Sequence, residues 1–268
     1  VVLATLLGFF IGVLRLSTNW LIARVATVYI EIVRNIPLLV QLLFWYIAIT
    51  KMLPGVRQSI MMGPAVALNV RGLFVPKPIP GDGSWVILAA LIVAVVAAVV
   101  IRRWAVQRQK ATGQQFPAIW TGVAIIVVLP ILANLAAGSP VTWDPPVLKG
   151  FNFQGGLSLR PELVALVMGL SVYTSAYIAE IVRGGIIAVS HGQTEAALAL
   201  GLSPSRNLRL VVIPQALRVI TPPLTSQYLN IVKNSTLAGA TGFPDLYAVI
   251  CTSQNQTGLA VECVAILM

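Results

Sequence analysis

Residues 84–101 read SWVILAALIVAVVAAVVI, an unbroken apolar stretch without a charged side chain. About 20 apolar residues in helical conformation cross the hydrocarbon core of a bilayer, so this stretch predicts a transmembrane helix. The whole chain agrees, because 57% of its residues are hydrophobic and only 10% are charged, against roughly a quarter charged in soluble domains. We therefore expect an all-α, polytopic bundle of transmembrane helices.

Other apolar segments lie on both sides of this stretch. Further spans are predicted at residues 1–14, 118–137, 161–181 and 217–240. Residues 21–53 are too long for one span, and Pro37 should split them into a membrane-edge helix and a span, since proline removes a helical donor. The Pro- and Gly-rich segments 54–84 and 138–161 predict loops.

Two glycines in the first span, Gly8 and Gly12, form the pattern G-x-x-x-G. This pattern favours close approach of another helix, although glycine is also common in membrane helices for no such reason.

The basic residues lie between the apolar runs, and the net charge is +10. Lysine and arginine are more frequent in the loops 15–24, 102–117 and 183–218 than in the alternate loops. The positive-inside rule therefore predicts that these three loops are cytoplasmic. Membrane topology accounts for the charge, so no nucleic-acid partner is expected.

One of these loops, HGQTEAALALGLSPSRNLRLVVIPQALR at 191–218, is polar and long. A charge at the centre of a span costs about 2.5–3.5 kcal/mol, so the segment should lie in water or against protein. Within it TEAALALGL predicts a short helix, capped by Gln193 or Thr194 and ended by Gly201. The small apolar face of this helix, Ala196, Ala197, Leu198 and Leu200, suits a docking surface, while an ordinary connection between spans remains an alternative.

The order Glu195-Ala196-Ala197, three residues, Gly201, nine residues, Val211-x-Ile213-Pro214 resembles the EAA loop of importer permeases in the ATP-binding-cassette (ABC) superfamily. Only Val211 and Ile213 depart from the family consensus Ile-x-Leu-Pro. The resemblance implies that 191–214 forms a coupling helix that fits a cleft in an ATPase subunit. The implied coupling residues are Gly192, Glu195, Ala196, Ala197, Gly201 and Pro214.

Further segments are similar to the polar-amino-acid permeases of the histidine/glutamine type: YIEIVRNIPLLVQLLFWY (29–46), AYIAEIVRGGI (176–186) and PPLTSQYLNIVKNSTLA (222–238). The stretch 54–160 resembles an insertion with two extra spans in the first membrane subunit of the general L-amino-acid and glutamate/glutamine/aspartate permeases. The implied architecture is a type I ABC importer permease fold divided into 1–53, the insertion 54–160, and the core 161–268. Family members are longer, so we expect a fragment truncated at both ends.

The resemblance also implies the partners and the location. They are an ATPase subunit, a homologous second membrane subunit, an extracytoplasmic amino-acid-binding protein, L-amino acids and membrane lipid, in the bacterial inner membrane. The chain has no G-x-x-x-x-G-K-[ST] phosphate loop, so ATP and Mg²⁺ are expected on the partner ATPase and no cofactor or catalytic residue on this chain. His191 has no second metal ligand nearby, so no metal site is predicted.

Two sets of polar residues inside apolar segments are candidates for function. Glu31 with Arg34, and Glu180 with Arg183, are three residues apart and should pair on one helical face, as a gate or as helix-end ion pairs that set depth. The second set could line an amino-acid path or could join helices by hydrogen bonds. Its members are Tyr173, Tyr177, Gln227, Asn230, Lys233, Asn234 and Thr236, with Lys233 or Asn234 facing the ligand carboxylate.

Two rival functions remain from the residues alone. An ion-coupled secondary transporter of small polar solutes would use discontinuous helices, and Pro37 and the pair Pro222-Pro223 could produce them. A membrane scaffold that docks a soluble partner without moving a solute would also need an exposed segment such as 191–218.

Overall fold

The computed structural model describes residues 1–63, 65–114 and 116–267. Within them the chain is mostly helical, as predicted. The helices, in chain order, are α1 (Val2–Arg15), α2 (Trp20–Asn35), α3 (Leu38–Ile47), α4 (Trp85–Thr112), α5 (Ala118–Ala136), α6 (Pro161–Ile187), α7 (His191–Ala199), α8 (Pro204–Asn207), α9 (Ile213–Asn234), α10 (Leu246–Thr257) and α11 (Ala260–Leu267). Four short irregular helices complete this set in the described residues: π-helical Ala48–Met52 and Leu208–Val212, and 3₁₀ Val56–Gln58 and Ser235–Thr241.

The two segments predicted as loops contain short strands, which the sequence interpretation missed. The strands are β1 (Ile60–Met61), β2 (Ala67–Asn69), β3 (Gly72–Val75), β4 (Lys77–Pro80), β5 (Val141–Asp144), β6 (Val147–Lys149), β7 (Asn152–Gln154) and β8 (Leu157–Leu159). Ribbon β4–β5 is antiparallel with Lys77 opposite Asp144, and ribbon β6–β7 is antiparallel with Val147 opposite Gln154. Strands of two to four residues carry too little alternation to be read from the sequence, and the prolines in β4 are tolerated because a two-stranded ribbon consists of edge strands.

Two compact units divide the chain. The core unit comprises Val1–Ile60, Leu68–Leu73 and Leu159–Met268, and the hairpin unit comprises Met61–Ala67 and Phe74–Ser158. The hairpin unit contains α4 and α5, which pack on one another.

Three helices of the described chain, α4, α5 and α6, are long and apolar enough to cross a membrane. The spans predicted at 84–101, 118–137 and 161–181 coincide with these three helices. A fourth candidate is the pair α2 and Leu38–Met52, which bends by 101° at the break, while α1 is a shorter apolar helix. Helix α9, with two internal prolines and a polar C-terminal end, does not meet the same criterion.

Helix α4 is longer than predicted. The segment 102–117 was expected to be a loop, but the helix continues through it to Thr112. Arginine, glutamine, lysine and alanine in this stretch are strong helix formers. The helix ends where Gly113 adopts φ +71 and donates its N–H to the carbonyl of Gln109, a left-handed C-cap that glycine accepts without strain.

Helix α6 is the centre of the core unit and packs against α1, α2, α3 and α9. The G-x-x-x-G pattern of α1 faces it. A Cβ atom on Gly8 would lie 2.5 Å from Cβ of Ile178, and one on Gly12 would lie 2.7 Å from the carbonyl oxygen of Ala179. The prediction of close helix approach at this pattern is confirmed.

The break at Pro37 is also confirmed, since α2 ends at Asn35 and α3 begins at Leu38. The buried side chain of Gln41 bridges the break between the two helices, because its Nε2 donates to the carbonyl oxygens of Val33 (2.7 Å) and Ile36 (3.0 Å). These carbonyls belong to the end of a helix, where backbone donors run out.

Candidate functional site

The segment that connects α6 to α9 contains the predicted docking helix, α7. It begins at His191, three or four residues earlier than expected, with Ser190 at the N-cap position and no side-chain capping bond. The prediction that Gln193 or Thr194 caps the helix was wrong. Nδ1 of His191 instead lies 2.9 Å from Oε1 of Glu195, one turn further along.

The end of α7 follows the expected turn at Gly201. This residue has φ +78, a conformation that costs a residue with a Cβ atom but not glycine. Its N–H donates to the carbonyl of Leu198, and the N–H of Leu202 donates to that of Ala197. Both bonds satisfy carbonyl groups that the helix end would otherwise leave without donors.

The surface of α7 is largely exposed. Ala197 is 4% exposed, whereas the side chain of Glu195 is 69% exposed and Leu200 is 83% exposed. Ala196 and Leu198 are exposed as well. The four residues of the predicted apolar face therefore do not act together. Ala197 packs the helix against the protein, whereas Ala196, Leu198 and Leu200 remain uncovered.

Two further contacts anchor α7 to the segment that follows it. Nε2 of Gln215 in α9 donates to Oε1 of Gln193 across 3.2 Å. Helix α7 also packs against the π-helical Leu208–Val212, and Pro214 lies in the first turn of α9, where its missing N–H costs no hydrogen bond. At Gly192 a Cβ atom would meet open space, so internal packing does not require glycine there.

An ion-pair network lies near the end of α6, eight residues before α7. Glu180 accepts from Nε (3.1 Å) and Nη2 (2.5 Å) of Arg183, and its second oxygen accepts from Nη1 of Arg15, the last residue of α1. All three side chains are partly buried. The network joins α1 to α6 at the end that leads into α7.

The corresponding pair in α2 is not formed. Both Glu31 and Arg34 are exposed, and no ion pair joins them in the described chain. The expectation for this pair was therefore wrong. The guanidinium carbon of Arg34 lies 5.2 Å from the ring centroid of Tyr177 instead, because a face of α6 offers an aromatic ring within reach of the arginine and a cation is attracted to such a ring.

The residues proposed to line a path form two separate groups. The hydroxyl oxygens of Tyr173 and Tyr177 lie 3.0 Å apart. Gln227 is buried, and Nδ2 of Asn230 approaches its Oε1 to 3.5 Å.

The remaining path candidates differ in their exposure and their hydrogen bonds. Lys233 is exposed and Asn234 is half-buried, and the hydroxyl of Thr236 donates back to the carbonyl of Lys233. Among the described residues no hydrogen bond or ion pair links the tyrosine pair to these three. A hydroxyl bonded to its own helix is already satisfied, so the hydrogen bonds among the described residues do not join all of the candidates into one polar network.

Sequence reasoning missed the role of Gln41 and the participation of Arg15 in the Glu180 network. The signal for Gln41 was available, since it is a lone polar residue four positions after the proline of an apolar segment. Arg15 carried no comparable signal, because its partner lies 165 residues away.

The fold resembles a solved structure described as "Crystal structure of an amino acid ABC transporter with histidines". The match has a TM-score of 0.52 at 23% identity and covers 99% of this chain and 75% of the other. It supports a shared fold.

Sequence comparisons give nearer relatives. The chain is 54% identical over 263 residues to the general L-amino acid transport system permease protein AapQ of Rhizobium johnstonii, covering 98% of this chain and 66% of AapQ. It is 52% identical to the putative amino-acid ABC transporter permease protein YhdX of Escherichia coli K12, covering 68% of YhdX. It is 41% identical to the glutamate/glutamine/aspartate/asparagine transport system permease protein BztB of Rhodobacter capsulatus, covering 67% of BztB. The chain thus spans about two thirds of the length of these relatives.

Residues 87–268 match the family described as binding-protein-dependent transport system inner membrane component. This match covers more than half of the chain, and the relatives agree with it over nearly all of the rest. The chain therefore belongs to the family of inner membrane components of binding-protein-dependent transport systems.

Proposed function

We propose that this chain is a membrane permease subunit of an ATP-driven amino-acid importer. In this role it contributes to the translocation path and couples that path to a separate ATPase subunit. The proposal rests on family membership and on relatives named as amino-acid permeases. As a permease subunit the chain is a transporter component rather than an enzyme.

The observation that carries the coupling role is the exposure of α7. A short helix bearing Glu195-Ala196-Ala197 protrudes between α6 and α9, held by Ala197 and by the Gln193–Gln215 hydrogen bond. Its uncovered side chains suit a cleft on a partner. Because three residues join α7 to α6 and α6 packs on four other helices, a displacement of α7 would move the centre of the core unit.

The partners follow from this role. ATP and Mg²⁺ would bind to an ATPase subunit, a homologous second membrane subunit would complete the path, and an extracytoplasmic binding protein would deliver L-amino acids. The setting would be the inner membrane of a bacterium, with the chain crossing it several times.

We also propose that the helices α4 and α5 are an addition to a type I permease core. They belong to a compact unit of their own, and only 6% of the apolar window of each helix is buried within the protein. The core unit contains α7 and every candidate path residue.

For the path we retain both groups of candidates. The tyrosine pair with Arg34 above it offers hydroxyls and a cation, and the exposed Lys233 offers a second cation toward a neighbouring subunit.

If Lys233 meets the substrate carboxylate, Lys233→Met should raise the half-saturating amino-acid concentration for uptake about tenfold or more, as expected for a lost hydrogen bond to a charged group.

The test of coupling is amino-acid-stimulated ATP hydrolysis in proteoliposomes. The full-length subunit, its membrane partner, the ATPase and the binding protein are reconstituted with wild-type sequence, with Glu195→Lys, or with the control Asp82→Lys, which makes the same charge change at an exposed residue of the hairpin unit. We expect Glu195→Lys to abolish stimulation and uptake, and Asp82→Lys to leave both unchanged.

Unaltered ATP hydrolysis and uptake in Glu195→Lys would refute the coupling role of α7. Uptake that persists without the ATPase and collapses with an ionophore would replace the proposal with ion-coupled transport.

A further inference from the structure

The hairpin unit carries a cluster of basic and aromatic side chains near the C-terminal end of α4, where the helix continues beyond its run of apolar residues. The last apolar residue of the run is Ile101, and the helix continues to Thr112. At 1.5 Å per residue, the whole helix is about 42 Å long, whereas the hydrocarbon core is about 30 Å thick. The excess of about 12 Å, together with the charges that follow Ile101, places the end of α4 from Arg102 onward, about three turns, at the headgroup region of a bilayer.

These turns carry four cations, Arg102, Arg103, Arg108 and Lys110, with no acid to balance them. Residues 83–143 contain neither aspartate nor glutamate, and none of the four makes an ion pair within the described chain. This is an uncompensated charge of four at the level where lipid phosphates lie. Each lysine or arginine near an anionic leaflet favours binding by about 1 kcal/mol.

Aromatic side chains fix part of this cluster at the same level. The ring centroids of Trp104 and Phe116 lie 5.6 Å apart in an edge-to-face arrangement, and the guanidinium carbon of Arg108 lies 5.3 Å from the Trp104 centroid. Nη2 of Arg108 also donates to Oε1 of Gln114 at 3.0 Å. Trp104 remains 46% exposed, and tryptophan is enriched at the membrane–water interface.

The other cations face outward along the helix. Arg103 and Lys110 are seven residues apart, which places them on one face about two turns apart. The buried Ala105, which is 6% exposed, lies on nearly the opposite face. The two cations thus point away from the packed side of α4, with free donors toward the surroundings.

We propose that this face, Arg103 and Lys110, with Arg102 and the Trp104–Phe116 pair beside it, binds the phosphate of anionic phospholipids. Charge complementarity and continuity with the lipid-exposed surface of α4 support a lipid rather than a soluble protein as the occupant. The cluster would hold the hairpin unit at a fixed depth and select anionic lipid around it. The proposal depends on the membrane location of the chain and not on the transported solute.

Native mass spectrometry of the full-length permease complex can test this. Phosphatidylglycerol or phosphatidylcholine is titrated against the wild-type complex, against Arg103→Gln with Lys110→Gln, and against the control Lys77→Gln with Lys149→Gln, which removes two charges from strands of the same unit. We expect wild type to prefer phosphatidylglycerol, the cluster variant to bind it about 25-fold more weakly, and the control to match wild type. The charge-conserving variant Arg103→Lys with Lys110→Arg should bind as wild type, which separates loss of charge from misfolding.

Equal binding of the two lipids to wild type, or equal losses in the cluster variant and the control, would overturn the proposal. So would a cluster variant that keeps its lipid but loses the ATPase subunit, because the cluster would then be a protein-docking surface.

Discussion

Helices α6 and α4 have nearly the same length, 27 and 28 residues, and both are apolar enough to cross a membrane, yet they differ in what they touch. In the most apolar 18-residue stretch of each helix, 56% of the α6 residues are buried within the protein, against only 6% of the α4 residues. The buried positions of α6 include many small or hydroxyl-bearing residues: Ala165, Gly169, Ser171, Thr174, Ser175, Ala176, Ala179 and Gly185.

This difference shows what apolarity means in a bilayer. Lipid tails are as apolar as leucine, so large aliphatic side chains gain little from leaving lipid for protein, and helices associate where small residues allow close packing. The more apolar of the two helices is therefore the less buried one. Hydropathy identifies the spans, and small residues identify the contacts between them.

The largest expected effect tests this contrast with one chemical change in two places. Ile178 of α6 is fully buried against α1 and α9, in a cluster with Ala4, Val182 and Ile231, whereas Ile92 of α4 is 57% exposed. Ile178→Ala should lower the free energy of unfolding by about 2–4 kcal/mol through the cavity it leaves, and Ile92→Ala by less than about 0.5 kcal/mol. Unfolding of the full-length subunit in mixed micelles, followed as the denaturing detergent increases, measures both.

Equal losses at the two sites would break the contrast. They would mean that protein rather than detergent covers Ile92 in the full-length subunit, and that α4 is a packed helix.

Much of the fold could be predicted because the decisive signals are local. Eighteen apolar residues in succession or one proline in an apolar segment act over a few turns, so the spans at α4, α5 and α6 and the break at Pro37 followed from the sequence. The extension of α4 to Thr112 was missed because charge was taken to end the helix, although charge ends only its passage through lipid. Some of the short strands pair with partners far away in the sequence, such as Lys77 with Asp144, 67 residues apart, and no local pattern encodes such a pairing.

A second contrast lies within the core unit, between two copies of the sequence Glu-Ile-Val-Arg. In α6, Glu180 bonds to both Arg183 and Arg15, while in α2 Glu31 makes no ion pair with any residue that the structure describes and Arg34 lies against Tyr177. The spacing is identical, so the tertiary neighbour decides. Where α1 supplies a second cation the pair is formed, and where an aromatic ring is nearer the arginine leaves its acid.

Replacing each acid with its amide sharpens this contrast. Glu180→Gln should destabilise the full-length subunit by about 1–2 kcal/mol, because hydrogen bonds to charged groups are worth about 1.5–3 kcal/mol and partial exposure reduces that value. Glu31→Gln should change stability by less than about 0.5 kcal/mol, since it breaks no ion pair. The same detergent unfolding experiment gives both values, and a larger loss for Glu31→Gln would show that its carboxylate has a partner within the full-length subunit.

The candidate site could be predicted from the sequence to a similar extent as the fold. Gly201 and the presence of a helix at 191–199 followed from residue preferences that act within one turn. The start of α7 did not, because Ser190 takes the N-cap position without any side-chain bond that the sequence would signal. Which residues of α7 stay exposed, and whether the tyrosines meet Lys233, depend on how α6 and α9 are rotated about their axes, and composition does not fix a rotation.

The smallest expected effect concerns two glutamines, one buried in the core unit and one exposed in the hairpin unit. Gln41 is buried and donates to two carbonyls at the break between α2 and α3, whereas Gln107 of α4 is exposed. Gln41→Leu should cost about 1 kcal/mol, because hydrogen bonds between helices in membrane proteins contribute modestly and two carbonyls lose their donor. Gln107→Leu should cost less than half of that.

Spin labels on cysteines at Trp20 and Met52, in a background without Cys251 and Cys263, report the angle of the break between α2 and α3. Gln41→Leu should broaden the distribution of distances between the labels, since the side chain replaces donors that Pro37 cannot supply. An unchanged distribution would assign the bend to Pro37 and to packing on α6 alone, leaving Gln41 as a contribution to stability without a role in geometry.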